Sequence, residues 1–427
     1  MPLNAHLCRM KKWIAWFCLF AISCKDPDAK QSSLEPEPEL QMQTLQSPSR
    51  FKAGEPALFT DPAGAVFLSW IEETDSLTHR LVYSQLKDSN WTEPRTIASG
   101  QNWFVNWADF PRLASDGRGN MMATWLQKNG RGTYAYDVMM TFSSDGNAWK
   151  QPAKLNEDGK EAEHGFVSII THPDSGFIVA WLDGRNTMPM PAGSHDHEGH
   201  EGGAMSLRAA ILDKDGKKRN EKEIDQRTCD CCQTALALGS GGALLLYRDR
   251  SEQEVRDIQI ARMDQQNWLE PEPLSKDGWV VNGCPVNGPR VAANGTKAVV
   301  AWYTEAQDQP AVYAAFSEDG GASFGQRIRI HDSIPLGRVG LVLAGHDMAY
   351  ISWMEGSRIL VRPVSPDGTT GPVYQVAENS SARSAGFPQV TEAGNQLIIA
   401  WTDAAEKRIQ TRMLGPGISP RKTGSVK

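Results

Sequence analysis

Ile178-Val179-Ala180-Trp181, Val299-Val300-Ala301-Trp302 and Ile398-Ile399-Ala400-Trp401 are copies of one phrase: a short apolar strand that ends on an aromatic residue. The phrase recurs as Phe67-Leu68-Ser69-Trp70, Met122-Ala123-Thr124-Trp125, Leu244-Leu245-Leu246-Tyr247 and Tyr350-Ile351-Ser352-Trp353. The aromatic positions are 55, 56, 66, 55, 51 and 48 residues apart. A period near fifty with strand content marks a radial array, because one small sheet cannot bury its own faces and must stack on its neighbours. The expected fold is therefore an all-β propeller of seven blades with four antiparallel strands each, a six-bladed ring being the alternative.

The blades are expected to begin near residues 53, 107, 164, 232, 285, 336 and 385. The last repeat lacks a clear outer strand after Ile409-Gln410-Thr411-Arg412, and Leu40 to Leu45 offers one from the N-terminal side. At 427 residues the chain can bury a sizeable core. Its formal charge of −7 becomes −10 when Arg9, Lys11 and Lys12 leave with a leader, so nucleic acid is not an expected partner.

Those three basic residues precede an apolar run, Trp13 to Ile22, which is too short to span a bilayer and suits a signal peptide. The run closes on Ala21-Ile22-Ser23-Cys24, which resembles a bacterial lipoprotein box with Cys24 as the lipidated residue. Ordinary secretion with cleavage near Ser23 is the alternative. The expected organisation is residues 1–23 as signal peptide and 24–50 as a lipid-anchored tether, then the repeats over 51–416 as the propeller and 417–427 as a disordered tail. The lipoprotein resemblance implies an envelope lipoprotein anchored in the outer membrane, on its periplasmic or surface face, and expected to be a monomer.

Two turns between third and fourth strands are explicit. Ser317-Glu318-Asp319-Gly320-Gly321-Ala322-Ser323-Phe324 is a full Asp-box, and Ser143-Ser144-Asp145-Gly146-Asn147-Ala148-Trp149 a version one residue shorter. In such a turn the Asp accepts backbone N–H bonds and Gly takes positive φ. These boxes resemble those of the sialidase superfamily. The phrases Cys-Asp-Cys-Cys-Gln-Thr, Cys-Pro-Val-Asn-Gly-Pro and Asn-Trp-Ala-Asp-Phe-Pro look like a group of bacterial exported propellers with that fold. The resemblance implies a protein that binds or hydrolyses an extracellular glycan or glycoprotein, in the manner of an exo-sialidase if it is an enzyme.

In an antiparallel blade, the lead-in loop before the inner strand and the exit loop after the aromatic strand open on one face. Sialidases place there three arginines, a tyrosine nucleophile activated by glutamate, and an acid/base aspartate, an exception to the two-carboxylate pattern. The Arg-Ile-Pro motif of the opening blade is replaced here by Phe51-Lys52-Ala53-Gly54-Glu55-Pro56. By face alone, Arg185, Arg248, Arg250 and Arg338 are the expected substrate-binding residues. Asp109 is the expected acid/base, and Tyr303 with Glu305 the nucleophile pair.

A second constellation joins Cys229, Cys231, Cys232 and Cys284, on adjacent lead-in loops, with His195, His197 and His200 of an expanded exit loop. Soft sulfur and nitrogen donors suit copper(I) or zinc. In an oxidising compartment the same cysteines pair as disulfides, for example Cys229 or Cys232 with Cys284. Both readings stand, as does a non-catalytic envelope propeller that binds a metal or a protein through this mouth.

Overall fold

A computed structural model describes residues 40–172, 176–187, 203–345 and 347–416. Seven antiparallel sheets follow one another along the chain, each built around one of the seven aromatic strands. Six of them run from inner to outer strand in sequence order. The seventh takes its inner three strands from Gln389–Ala393, Gln396–Asp403 and Arg408–Pro416, and its outermost from Leu40–Leu45. Leu40 pairs with Pro416 and Leu45 with Thr411, so the N-terminal strand closes the ring. The sheet thus takes up the part of the expected tether that begins at Leu40, and Ser49 just beyond it is buried. Cys24, the leader, residues 24–39 of the tether, His195, His197, His200 and the tail from 417 lie outside the described residues.

The aromatic positions are core. Trp70 and Trp181 are 0 % exposed, and the most accessible of the seven, Trp401, reaches only 5 %. Each packs against the blade before it: Trp181 with Met122 and Tyr136, Trp302 with Leu244 and Leu246, Trp401 with Ile359 and Val361. Trp70 does the same against Ala400 and Ile409 of the seventh blade, which makes the closure a packing joint as well as a hydrogen-bonded one. Blade-to-blade burial is what a lone four-stranded sheet lacks, so the repeat is stable only as a ring.

The Asp-boxes form as expected. Asp319 accepts the Ser323 amide at 2.9 Å, and Asp145 accepts those of Asn147 and Ala148 at 2.8 and 2.9 Å. The second-blade box is also an inter-blade clip, since Tyr83 of the first blade donates its hydroxyl to the Gly146 carbonyl at 2.6 Å.

A further device repeats on the opposite side. Inner strands of the first, third and sixth blades slip register just after a glycine, between Gly54 and Ala57, Gly165 and Ser168, and Gly337 and Gly340. The residue after each glycine has positive φ: Glu55 54°, Phe166 54° and Arg338 55°. Such a bulge turns a backbone N–H out of the ladder and toward a neighbouring loop.

Candidate functional site at the channel mouth

The lead-in loops are sewn together around the mouth. Asp109 accepts the bulged Phe166 amide at 2.8 Å, and Thr234 donates to the Phe166 carbonyl at 2.8 Å. Gln233 donates to Ala108 at 2.6 Å and accepts from the Gly288 amide at 3.1 Å. Asn287 accepts the bulged Arg338 amide at 2.7 Å. Gly288 is required here, because a Cβ on it would lie 2.1 Å from the Gln233 carbonyl oxygen.

Against this frame the expected arginine clamp dissolves. Arg248 is buried, and it donates to the carbonyls of Asn287 (2.8 Å), Tyr303 (2.7 Å) and Arg256 (2.5 Å). Arg338 spends its guanidinium on the carbonyls of Gly386, Ser381 and Ala382 at 2.9–3.1 Å. Arg250 is paired with Asp230 at 2.7 Å and Glu254 at 3.0 Å, and Arg185 lies bidentate on Asp183 at 2.7 Å. A guanidinium has five donors in a fixed fork, and these forks are used to tie loops together.

The expected catalytic residues are also separated. Tyr303 is buried in the core between the fifth and sixth blades, with its hydroxyl 3.4 Å from exposed Glu305. Burial, with the Glu305 charge behind it, pushes the Tyr303 phenol up, the wrong direction for a nucleophile. Asp109 sits across the ring, in the stitch between the second and third blades. Its Oδ2 has no hydrogen-bond partner, and burial pushes its carboxyl up to about 7.

A tyrosine–glutamate pair does exist at the mouth, elsewhere. Tyr136 donates its hydroxyl to Glu163 at 2.7 Å. Burial holds the Glu163 carboxyl well above the usual range, and the nearby Asp230, Asp109 and Cys284 add to the effect. Glu163 immediately precedes the third inner strand, and Tyr136 opens a third strand, so the pair is distant in sequence and carried no local signal.

The cysteines do meet. Cys229 Sγ lies 3.3 Å from Cys232 Sγ and 3.9 Å from Cys231 Sγ, and the three sulfurs fit within 4.8 Å of one another. Cys284, on the next blade's lead-in loop, lies near Cys231 but outside the three-sulfur cluster. Cys229, Cys231 and Cys232 are buried, and no S–S bond joins the four cysteines among the described residues. Burial pushes Cys229 up to about 11 and Cys231 well above the usual thiol range. Burial acts on Cys232 too but is outweighed, because Cys229, Cys231 and the Asn287 amide hydrogen-bond to its sulfur and Arg248 stands nearby, so it falls well below that range. Arg256 lies beside Cys229, is 2 % exposed, and leaves Nε and one terminal nitrogen without a partner. Its other terminal nitrogen is ion-paired with Glu254 at 2.5 Å.

Another cluster, Asp158, His164 and Asp183, has metal-ligand residue types. Asp183 is already saturated by Arg185 and the Trp181 indole, and His164 Nδ1 contacts the carbonyls of Tyr136 and Ala162 at 3.0 and 3.1 Å. It is a structural network.

Seven blades, a closing strand and Asp-boxes define an all-β, seven-bladed propeller. Residues 72–276 match the family described as "BNR repeat-like domain". No curated protein matches the chain. Among solved structures, it is similar to an α-L-arabinofuranosidase of Fusarium graminearum, at 12 % identity and a TM-score of 0.47, over 87 % of this chain and 98 % of that one. A Hadza microbial sialidase shares 13 % identity at a TM-score of 0.43, over 86 % and 66 %. The β-propeller domain of the Trilobed protease from Pyrococcus furiosus shares 12 % at 0.45, over 86 % and 96 %.

Proposed function

We propose that this is an exported propeller whose channel mouth holds a soft metal ion, copper(I) or zinc, on Cys229, Cys231, Cys232 and Cys284. The observation that carries the proposal is the geometry of the sulfurs. Zinc–sulfur bonds of about 2.3 Å place ligand sulfurs of a tetrahedron about 3.8 Å apart. The two closest separations, 3.3 and 3.9 Å, bracket that value. Arg256, ion-paired to Glu254 through one terminal nitrogen, keeps two further nitrogens without a partner beside Cys229, and a metal-bound Cys229 thiolate would give them an acceptor.

Disulfide pairing would have to avoid one combination and run through Cys229–Cys232 or through Cys284. Cys231 and Cys232 are sequence neighbours, so their Cα atoms are about 3.8 Å apart. Ordinary disulfides need about 4.4–6.8 Å. The leader ending at Cys24 would deliver the site to an oxidising envelope, where reduced thiols persist best under a ligand. The three clustered sulfurs would hold the ion, and Cys284, outside that cluster, would close the set as a fourth ligand by moving in, which would make the metal structural or carried cargo.

The test is intact-mass and metal analysis of the protein purified from the envelope. We expect reduced thiols with about one equivalent of copper or zinc, lost in Cys231→Ser. Two disulfides and no metal would overturn the proposal.

One observation favours a second reading, glycan hydrolysis by Glu163 as general acid: burial raises the Glu163 carboxyl well above its usual range, and Tyr136, buried and with its own phenol pushed up, holds it by a 2.7 Å hydrogen bond. A protonated carboxyl can serve as a general acid. Turnover of a fluorogenic sialoside, abolished in Glu163→Gln, is the expected result; no turnover by the wild type would end this reading.

A further inference from the structure

Below the mouth, the seven inner strands enclose an axial cavity of about 490 Å³. Its wall carries Arg112 and Arg290, with Ser168, Thr234, Gln389 and Thr391 among the neutral polar groups. Arg112 opens the inner strand of the second blade and Arg290 that of the fifth. Three blades apart in a ring of seven, they stand on opposite sides of the channel.

These two arginines differ from those of the mouth. Arg112 gives only Nε to a carbonyl, that of Val167 at 2.8 Å, and rests its guanidinium 4.4 Å from the Phe110 ring. Arg290 gives one terminal nitrogen to the Pro289 carbonyl at 3.0 Å. Among the described residues, neither forms an ion pair. Asp61, the acid on the cavity wall, is already engaged by the amides of Ala63 and Ala65 and by the Ser115 hydroxyl. Asp109, the acid whose charge reaches Arg112, is itself pushed up to about 7 by burial.

The two arginines are therefore without a direct ion pair among the described residues, Asp109 being the acid whose charge reaches Arg112. Burial pushes Arg112 down to about 10 and Arg290 to about 9, with the Arg112 charge adding to the effect on Arg290. At neutral pH both still carry their charge, and the remaining fork nitrogens are the kind that grip planar or tetrahedral oxyanions.

We propose that the axial cavity binds one small oxyanion between Arg112 and Arg290, either inorganic phosphate or sulfate or the carboxylate of a short organic acid. The cavity is larger than a bare inorganic oxyanion, so water or a short carbon chain fits beside the charged group. This site is independent of the cysteines and stands whether or not they hold metal.

The experiment titrates the full-length propeller calorimetrically with sulfate, phosphate and malonate, in chloride buffer at constant ionic strength. We expect one saturable site per chain for at least one anion, with affinity at least tenfold weaker in Arg290→Met. Preference for malonate assigns the site to organic acids, and preference for phosphate or sulfate to inorganic ones. No saturable binding by any of the three, or equal binding in Arg290→Met, overturns the proposal. Thermal melting guards against a misfolded variant. In anion-poor buffer Arg290→Met should melt at or above the wild type, because a like charge has gone, and the order should reverse at saturating anion. A variant that melts lower under both conditions would make Arg290 a structural residue and the proposal wrong.

Discussion

The exit loops and the cysteine corner of the mouth both concentrate charge, yet they are built on opposite principles. In the first, third and sixth blades the buried tryptophan donates its indole N–H to a carboxylate two residues on: Trp70 to Glu72 at 3.1 Å, Trp181 to Asp183 at 2.8 Å and Trp353 to Glu355 at 3.0 Å. Each carboxylate is then held by an arginine, Arg80, Arg185 and Arg358 respectively. Each carboxylate thus receives an indole and a guanidinium, Arg80 Nε being left without a partner, and the unit repeats. Between the fourth and fifth blades the arrangement occurs once, thiols crowd together, and Arg256 keeps unpartnered nitrogens. A contact repeated from blade to blade is architecture, whereas a crowding of thiols that occurs once, beside an arginine with two unpartnered nitrogens, is where the proposed metal would sit.

If that contrast is right, the staple should fail as structure. Trp181→Ala is expected to cost about 3–5 kcal/mol through its cavity, with Asp183 also losing a donor. Denaturant melts give the value, and an unchanged midpoint would break the staple assignment. Asp109 sharpens the comparison by pH. Its carboxyl, normally near 3.8, is raised to about 7 in the folded protein, so the native state keeps a proton that the unfolded chain has lost. Its contribution is undiminished below about 3.8 and is lost as pH rises through about 7. Stability should therefore fall over that window by up to about 1.4 kcal/mol per pH unit, and Asp109→Asn should flatten that part of the profile. An identical profile in the variant would refute it.

On the other side of the comparison, Arg256→Met should leave the fold standing but weaken retention of copper or zinc by about 10–100-fold, as loss of an outer partner of a metal ligand does. Competition with a chelator measures it, and equal retention would make Arg256 a bystander. The smallest effect belongs to the outer edge. Asp319→Ala removes the acceptor of one turn and should cost about 1 kcal/mol with no change at the mouth.

The ring was legible because burial imposes a period: each blade must hide the same aromatic, so the same phrase returns. The closing strand was legible because the seventh repeat lacked an outer member and Leu40–Leu45 remained. The cysteine cluster was legible because sulfur ligands stand out in a chain with few of them. The arginines were misread because a sequence shows charge but not what the charge is spent on, and Arg248, Arg250 and Arg338 are satisfied by carbonyls and acids from distant blades. Tyr136–Glu163 and Arg112–Arg290 were missed for the complementary reason. Each pair joins elements that only the ring brings together, and a lone Arg at the head of a strand looks like any surface cation.

The pairing of Leu40–Leu45 with Arg408–Pro416 also sets an order of events. The strand made first can be seated only after the strand made last, so closure waits for nearly the whole chain and is slow for reasons of topology. Until then the Arg408–Pro416 strand is an open edge, able to accept a strand from any chain that reaches it. A neighbouring molecule's own Leu40–Leu45 is the best-matched intruder. Crowded newly made chains would therefore exchange closing strands and emerge as linked pairs, each ring complete but neither independent.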